Sequence, residues 1–443
     1  MKRKATMRTI CLFLVLSLLL PFAFLETSAS SFSDAIPDTS QATCVYFINL
    51  DTTRVLVNKD TNKAIAPAST VKIMTGLLAI EHFKRDFDTH ITVTDTMLSD
   101  VEGTKMNLSP GDILTVRDLL YATICGGFND AAHVLSCAVS GTSDNFVALM
   151  NKRAKELGAV ETNYKNPSGW DCDGMTTTLK DTVIISKEAL KNEIYMEISS
   201  ATTHKITFQN QKEDFVVKNR NALISSYYAQ GYTNRHAQGI IAGMTDNGGY
   251  CVVTHASIDG CSYLCVVMGA SESNGQINSF VISNALIEYA KKNLGYVNVM
   301  KGGTTVCKTP IDHALIDFSD AASEAMLNVT VADDVEIFLP YNTDVTTEIT
   351  HKYYLYEERL TAPISSGTQV GNVDFYYNGE LVGTFPLIVN SDIEANDFEL
   401  FIVSAKSFLM SRSSILSIVF FVIIYSIYSI SSKRKRCNYI LKK

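Results

Sequence analysis

Ser69 and Lys72 are the residues in this sequence whose types and spacing could do covalent chemistry. They stand three positions apart in segment 67–72 (PASTVK), where a helix is expected to begin. Residues three apart on a helix share one face, so the amine and the hydroxyl would meet. A serine hydroxyl needs an adjacent base to become a nucleophile, and a lysine with a lowered pKa can be that base. Alone the pattern is weak, because serines that cap helices often precede lysines.

The strands and helices that must position Ser69 and Lys72 belong to a mixed α and β domain, which is predicted to extend to about residue 292. Strands are predicted at 44–50, 54–58, 250–256 and 263–269. Helices are predicted at 70–83, 116–124, 131–139, 145–157 and 279–292. Strands at both ends of a helical middle predict an α+β fold, with helices packed on one sheet.

The character of the chain changes after residue 300. Short β-rich runs at 335–338, 374–377 and 381–389 predict a small all-β module, and Asn378-Gly379 predicts a tight hairpin between the last two. Segment 395–409 is expected to be a connecting or juxtamembrane helix.

Both ends of the chain indicate export and anchoring. Residues 1–30 combine a basic start, an apolar run and small residues, which is typical of a signal peptide. Residues 413–430 carry no charge and would span ~27 Å as a helix, close to the thickness of a bilayer core. The basic run at 433–436 predicts a cytoplasmic tail, so the preceding domains are expected outside the cell.

Composition excludes several other classes of function. The formal net charge is −8, and the excess of acids lies between two basic termini, so nucleic-acid binding is not expected. Eight histidines stand without a zinc-binding spacing, and neither a metal nor a cofactor is expected. Ten cysteines have irregular spacing, which leaves disulfides and buried free thiols as open alternatives.

The sequence resembles the penicillin-binding serine D-alanyl-D-alanine carboxypeptidases, the low-molecular-mass penicillin-binding proteins. The residues that carry the resemblance follow one another in the family's order: 67–75, 121–132 (YATICGGFNDAA), 146–158 (FVALMNKRAKELG), 166–171 (NPSGWD), 239–253 (GIIAGMTDNGGYCVV) and 367–389. The resemblance implies a β-lactamase/transpeptidase-like serine hydrolase domain, followed by a small all-β domain and a C-terminal transmembrane helix. The predicted segments are a signal peptide (1–30), the carboxypeptidase-like catalytic domain (31–295), the C-terminal β domain (300–393), a juxtamembrane segment (394–412), the transmembrane helix (413–430) and a basic cytoplasmic tail (431–443).

Two motifs depart from the family's pattern. The second motif, normally Ser-x-Asn, has Gly127 in place of serine and keeps Asn129, which the resemblance assigns to substrate binding and to orienting Lys72. We expect the glycine to leave room for a water in place of the hydroxyl. The third motif, normally Lys-Thr-Gly, has Ile241 and Ala242 before its glycine, and so lacks the cation and hydroxyl that receive the substrate's carboxylate. Arg235 or His236 could substitute for the missing cation, and a folded-back loop would be needed to bring Arg235 close.

The resemblance therefore implies the following site. Ser69 and Lys72 are catalytic together with Asn129 and Gly127, while Ile241, Gly243 and Met244 bind substrate, and the N–H groups of Ser69 and Met244 form the oxyanion hole.

The expected function is removal of the terminal D-alanine from peptidoglycan stem peptides through an acyl-enzyme, with reduced activity and with β-lactams as acylating ligands. A degenerate relative that binds wall peptides without turning them over, and a β-lactam hydrolase, are the alternatives. The protein is expected at the cell membrane, held by a single C-terminal span.

Overall fold

The structure is a computed structural model, and it describes residues 36–210, 213–315, 326–411, 416 and 419–431. The chain divides into two compact units, Met1–Gly295 and Tyr296–Lys443.

The first unit is built on a five-stranded antiparallel sheet in the order β2-β1-β11-β10-β9. Its strands are β1 (Ala42–Asn49), β2 (Val55–Lys59), β9 (Ala237–Thr245), β10 (Gly249–Ile258) and β11 (Cys261–Ala270). The central strands are buried on both faces, which is why β10 and β11 contain nearly continuous apolar runs such as CVV and LCVVM. The predicted hairpin at 44–58 and both later strands are confirmed.

Among its described residues, the first unit also contains four two-stranded sheets. They are β3 (Ala64–Ile65) with β6 (Thr177–Thr178), β4 (His90–Thr92) with β5 (Ile113–Thr115), β7 (Thr203–Ile206) with β8 (Phe215–Lys218), and β12 (Glu272–Ser273) with β13 (Gln276–Ile277).

Helices supply the rest of the first unit. They are α1 (Val71–Phe83), α2 (Val116–Ile124), α3 (Asn129–Ser140), α4 (Ser143–Leu157), α5 (Leu179–Leu190), α6 (Glu193–Ser200) and α7 (Asn278–Asn293). The five predicted helices are confirmed to within two residues at each end, whereas α5 and α6 were not predicted. Side-chain caps define several starts: Thr115 and Asp118 form a reciprocal capping box on α2, and Thr142 caps α4.

Helix α1 lies at the centre of the helical layer. Nine of its 13 residues are buried, and it packs against α2, α3, α4, α5 and α6. Its first seven residues, 71–77, are all buried, so a polar residue near its start is taken out of water. Lys72 is such a residue.

The second unit is a β domain, as the sequence predicts. A six-stranded sheet has the order β18-β20-β21-β16-β15-β19, and β14 pairs with β17. The strands are β14 (Leu294–Met300), β15 (Thr305–Asp312), β16 (Met326–Val331), β17 (Val335–Pro340), β18 (Ile349–Leu355), β19 (Leu360–Thr361), β20 (Gln369–Tyr377) and β21 (Glu380–Val389). Asn378 and Gly379 join β20 to β21 with φ angles of 50° and 82°, the positive values of a tight hairpin turn.

The C-terminal region is described in part. Helix α8 (Asp397–Met410) confirms the helix predicted at 395–409, and residues 419–431 are also helical. Within the described residues, we find no helix that has both the length and the apolar character needed to cross a membrane. The predicted spanning segment 413–430 includes residues 413–415 and 417–418, which lie outside the described residues, as do the predicted signal peptide at 1–30 and the tail from 432 onward.

The cysteines of the described residues are free thiols. Eight are placed, and six of them are buried. Disulfides and buried free thiols were the two open alternatives, and among the described residues the structure has free thiols, most of them buried.

Candidate active site

Ser69 lies in a tight 3-10 turn, Ala68–Thr70, directly before α1. The preceding residue, Ala68, is fully buried and has a φ of 47°, a left-handed conformation that costs a residue with a side chain about 1–2 kcal/mol. Such strain persists only where the surroundings enforce it, and it often marks a functional site. Ser69 faces a cleft with about 320 Å³ of empty space that is open to solvent. The cleft is lined by Ser69, Thr104, Gly127, Asn129, Ser168, Gly169, Trp170, Arg220, Gly243, Met244 and Thr245.

Two glycines distant in sequence allow the chain to close around Ser69. A Cβ on Gly243 in β9 would stand 2.3 Å from the Cβ of Ser69, and a Cβ on Gly169 would stand 1.9 Å from the carbonyl oxygen of Ala68. Neither distance is possible for real atoms, so both positions require glycine. Three segments of chain therefore meet at the serine.

The turn that contains Gly169 is held by its own side chains. Asn166 Oδ1 accepts hydrogen bonds from the backbone N–H groups of Ser168 (3.1 Å) and Gly169 (2.7 Å). Thr75 on α1 donates from Oγ1 to the Pro167 carbonyl at 2.7 Å, which links the turn to the helix that contains Lys72.

Lys72 has the position and the pKa of a general base. Its Nζ lies 3.2 Å from Ser69 Oγ and donates to the Ser168 carbonyl at 2.6 Å. Burial and, to a lesser degree, the positive charge of Arg220 lower the pKa of Lys72 to about 7, and the negative charge of Asp130 opposes the shift. A large fraction of the amine is therefore neutral near pH 7, and it can accept the hydroxyl proton of Ser69.

Arg220 is the cation of the cleft, and the sequence analysis did not identify it. Its Nη1 donates to Thr104 Oγ1 at 3.1 Å, and the guanidinium lies 4.6 Å from the ring centre of Tyr228. Its backbone N–H donates to the Cys125 carbonyl at 3.0 Å, and the residues on either side are buried asparagines. Those asparagines hold the segment: Asn219 Nδ2 donates to two carbonyls at the end of α6, and Asn221 accepts from the backbone of Leu223.

A family model described as D-alanyl-D-alanine carboxypeptidase matches residues 31–272, more than half of the chain. The chain belongs to this family. A second model, described as the C-terminal domain of penicillin-binding protein 5, matches residues 320–395. The predicted family is thereby confirmed, and membership makes the protein a serine-type peptidase of the hydrolase class.

Individual relatives agree with this assignment. D-alanyl-D-alanine carboxypeptidase DacF of Bacillus subtilis is 26% identical over 407 residues, 90% of this chain and 97% of the relative. DacC of Escherichia coli is 28% identical over 356 residues, 78% of this chain and 82% of the relative.

Solved structures confirm the fold. A D-alanyl-D-alanine carboxypeptidase from Mycobacterium tuberculosis aligns with a TM-score of 0.52 at 26% identity, over 59% of this chain and 94% of that one. Penicillin-binding protein 5 of Haemophilus influenzae aligns with a TM-score of 0.56 at 23% identity, over 82% of this chain and 100% of that one. The predicted α+β domain followed by an all-β domain is therefore confirmed.

The second motif of this family member differs from our expectation. Gly127 has a φ of 70°, and a Cβ placed there would be 2.8 Å from Arg220 Cδ, so the side chain of Arg220 occupies the space that we had assigned to a water. Asn129 lines the cleft, but its Nδ2 donates to the Glu102 carbonyl at 2.6 Å, and Lys72 is oriented by the Ser168 carbonyl instead.

The residues of the third motif are divided between the cleft and the core. Gly243 packs on Ser69, and Met244 lines the cleft. Ile241 does not: it is 2% exposed and belongs to the hydrophobic core. Arg235 contacts His236, Nε to Nε2 at 3.2 Å, before β9 begins, so the structure places Arg220 rather than Arg235 at the serine.

Trp170 is the other residue that sequence reasoning undervalued. It lines the cleft and is 38% exposed. The Oδ2 atom of its neighbour Asp171 accepts a hydrogen bond from the backbone N–H of Asn247 at 2.8 Å, which links the turn to the loop after β9.

Proposed function

We propose that this protein is a serine D-alanyl-D-alanine carboxypeptidase that removes the terminal D-alanine of peptidoglycan stem peptides. The observation that carries the proposal is the buried Lys72, with a pKa of about 7, within hydrogen-bond distance of Ser69 in an open cleft. Burying a lysine in the core is destabilising, and a role as general base at this position accounts for its presence there.

The reaction follows from this geometry. Ser69 Oγ attacks the carbonyl carbon of the penultimate residue while its proton passes to Lys72 Nζ. The C–N bond then breaks, and the leaving amine of the terminal residue takes that proton from Lys72. Water attacks the acyl-enzyme, Lys72 accepts the water proton and returns it to Ser69, and the shortened peptide leaves. The backbone N–H groups of Ser69 and Met244 are the proposed oxyanion donors, which need no particular side chain.

Binding uses the edge of the sheet and the charge of the cleft. Among the strands that the structure describes, β9 is the last of its sheet, so its outer edge is available to an extended peptide. Arg220 provides the positive charge that the family's third-motif lysine would provide, and Trp170 offers an aromatic wall.

A fluorescent penicillin tests the proposal. The adduct should map to the peptide that contains Ser69, Ser69→Ala should remove it, and the wild-type protein should release D-alanine from a peptide ending in D-Ala-D-Ala. Labelling that persists in Ser69→Ala would refute the assignment of the nucleophile. Labelling without any release of D-alanine would refute the proposed activity and leave a wall-peptide binder.

We also propose that the protein is exported and held at the cell membrane by segment 413–430, with both folded units outside. The uncharged segment followed by four basic residues supports this topology. Protease added to intact protoplasts should release the external part and leave a small fragment that contains the tail, whereas a fully protected chain would contradict the topology.

A further inference from the structure

The six-stranded sheet of the second unit exposes tyrosines that the proposed reaction does not use. Among the strands that the structure describes, β18 is the last of this sheet, and it pairs with β20 alone. Side chains alternate between the two faces of a strand, and residues opposite each other on paired strands share a face. Tyr354 lies opposite the half-buried Asn372, whereas Tyr353 lies opposite the buried Val373. Tyr354 therefore points away from the core of the unit.

The outward-pointing residues of β18 and β20 form one surface, which we call the tyrosine face. Tyr354 is 55% exposed, and Tyr356, directly after β18, is 62% exposed. Tyr356 lies beside Val370, and Tyr376 lies six residues farther along β20, about 20 Å away at ~3.3 Å per residue. A ligand that contacts all three rings is therefore an extended chain. The tyrosine face consists of Lys352, Tyr354, Tyr356, Asn372, Asp374 and Tyr376.

Planar polar groups lie beside these rings. The Tyr356 hydroxyl accepts hydrogen bonds from Gln369 Nε2 at 2.8 Å and from Asn372 Nδ2 at 3.4 Å. Asp374 Oδ1 accepts from Thr384 Oγ1 at 2.7 Å. An amide can both donate and accept, and a carboxylate accepts through two oxygens, so these groups can also bond to the hydroxyls of a ligand.

The charges of the tyrosine face compensate each other. Lys352 lies opposite Asp374 in the register of β18 and β20, and its Nζ is 5.3 Å from the ring centre of Tyr376. The six residues therefore carry no net charge, in a chain whose formal net charge is −8. A polyanion or an anionic lipid surface would be repelled by such a chain, so charge complementarity favours an uncharged polymer.

Polysaccharides combine the properties that this surface selects. The C–H groups on the faces of a sugar pack on aromatic rings, and the hydroxyls at its edge bond to amides and carboxylates. We propose that the tyrosine face binds the glycan strands of peptidoglycan, with sugar rings stacked on its tyrosines. The proposal goes beyond the proposed function, because it assigns a second binding site in the other unit. The choice of this polysaccharide rests on that function, since the stem peptides are attached to it.

Two ligands test the proposal on the full-length protein. One is an uncharged hexamer of β-1,4-linked N-acetylglucosamine, followed by titration calorimetry, and the other is insoluble peptidoglycan, followed by co-sedimentation. Tyr354→Ala combined with Tyr356→Ala should weaken the binding of both ligands by about 10-fold or more, because two aromatic anchors are lost. The melting temperature should not change, since both rings are exposed. Tyr354→Phe keeps the ring and should keep most of the affinity.

Tyr353 provides the matched control. It is on the same strand and is 48% exposed, but it points to the other face of the sheet. Tyr353→Ala should leave the binding of both ligands intact. Ser69→Ala should also leave it intact while it abolishes the release of D-alanine, which separates glycan binding from catalysis.

Several results would overturn the proposal. They are no binding of peptidoglycan by the wild type, equal binding by the wild type and the double variant, and an equal loss of binding in Tyr353→Ala. Binding that a soluble stem peptide abolishes would place the polymer in the catalytic cleft instead. A dimer that the double variant converts to monomers would make the tyrosine face an interface between two copies of this chain. None of these results affects Ser69-dependent release of D-alanine, so the proposal and the proposed function can fail separately.

Discussion

The rate at which Ser69 is acylated should rise with pH through about 7, because the attacking hydroxyl needs the neutral form of Lys72. With a pKa of about 7, about half of Lys72 is neutral at pH 7, whereas at the ordinary value of 10.5 only about one molecule in 3,000 would be neutral. The lowered pKa therefore raises the fraction of Lys72 that is neutral by about 1,500-fold at pH 7. The rate should fall to about one tenth of its maximum at pH 6.

The charged neighbours of Lys72 make the prediction sharper. Burial is the largest cause of the lowered pKa of Lys72. The positive charge of Arg220 also lowers this pKa, and the negative charge of Asp130 raises it. Arg220→Gln should move the midpoint of the rate profile to higher pH, while Arg220→Lys, which keeps the charge, should leave it nearer to the wild type. His133 does not complicate the profile above pH 5, because burial lowers its pKa to about 4.

The assay uses the phenyl ester of N-acetyl-D-alanine, so that the binding of a carboxylate does not enter the profile. Phenol release is followed between pH 5.5 and 9, and Lys72→Met gives the background. A midpoint above about 9, or a flat profile that still depends on Ser69, would show that Lys72 is not the base.

Three further predictions concern the departures from the family's motifs and the cost of the buried lysine. Gly127→Ser, which restores the family's residue, should slow acylation by about 10-fold or more, because a side chain at a φ of 70° costs about 1–2 kcal/mol and its Cβ would press on Arg220; a faster enzyme would contradict this. Ala242→Thr should raise the acylation rate for the peptide acid by restoring the third-motif hydroxyl, whereas Ile241→Lys should mainly lower the melting temperature, because it puts a charge into the core. Lys72→Met should abolish acylation and raise the melting temperature most at pH 7 and below. Between pH 7 and 10.5 the unfolded wild type binds more protons at Lys72 than the folded form does, so the stability of the wild type increases with pH there and the advantage of the variant shrinks; an advantage that does not depend on pH would refute this linkage.

The catalytic pair could be predicted from the sequence because its geometry is local. Ser69 and Lys72 are one helical turn apart, and the hairpin and the long amphipathic helices are defined by periodicity over short windows. Their assignment as site residues stays a prediction until the nucleophile is mapped.

The contribution of Arg220 could not be predicted in the same way. It lies in an irregular segment between β8 and β9, where no periodic pattern places it, and its approach to Gly127 is a tertiary contact. The burial of the asparagines on either side, which holds this segment in place, is visible only in the structure.

The side on which each third-motif residue lies could have been predicted from the alternation of a strand. Gly243 faces Ser69, so Ile241, two residues earlier, points to the same side and enters the core, while Ala242 points to the other side. We treated the three residues as one motif and so did not expect Ile241 and Ala242 to lie on opposite sides of the strand.

The meeting of three chain segments at Ser69 has a consequence for the synthesis of the protein. The serine, the Ser168 carbonyl and Gly243 come from the start, middle and end of the first unit, so a growing polypeptide has no reactive centre until β9 has left the ribosome and docked. Truncated or incompletely folded chains should therefore resist covalent labelling even though they contain Ser69. The extent of labelling by a penicillin-derived dye would then report the fraction of chains that have folded completely.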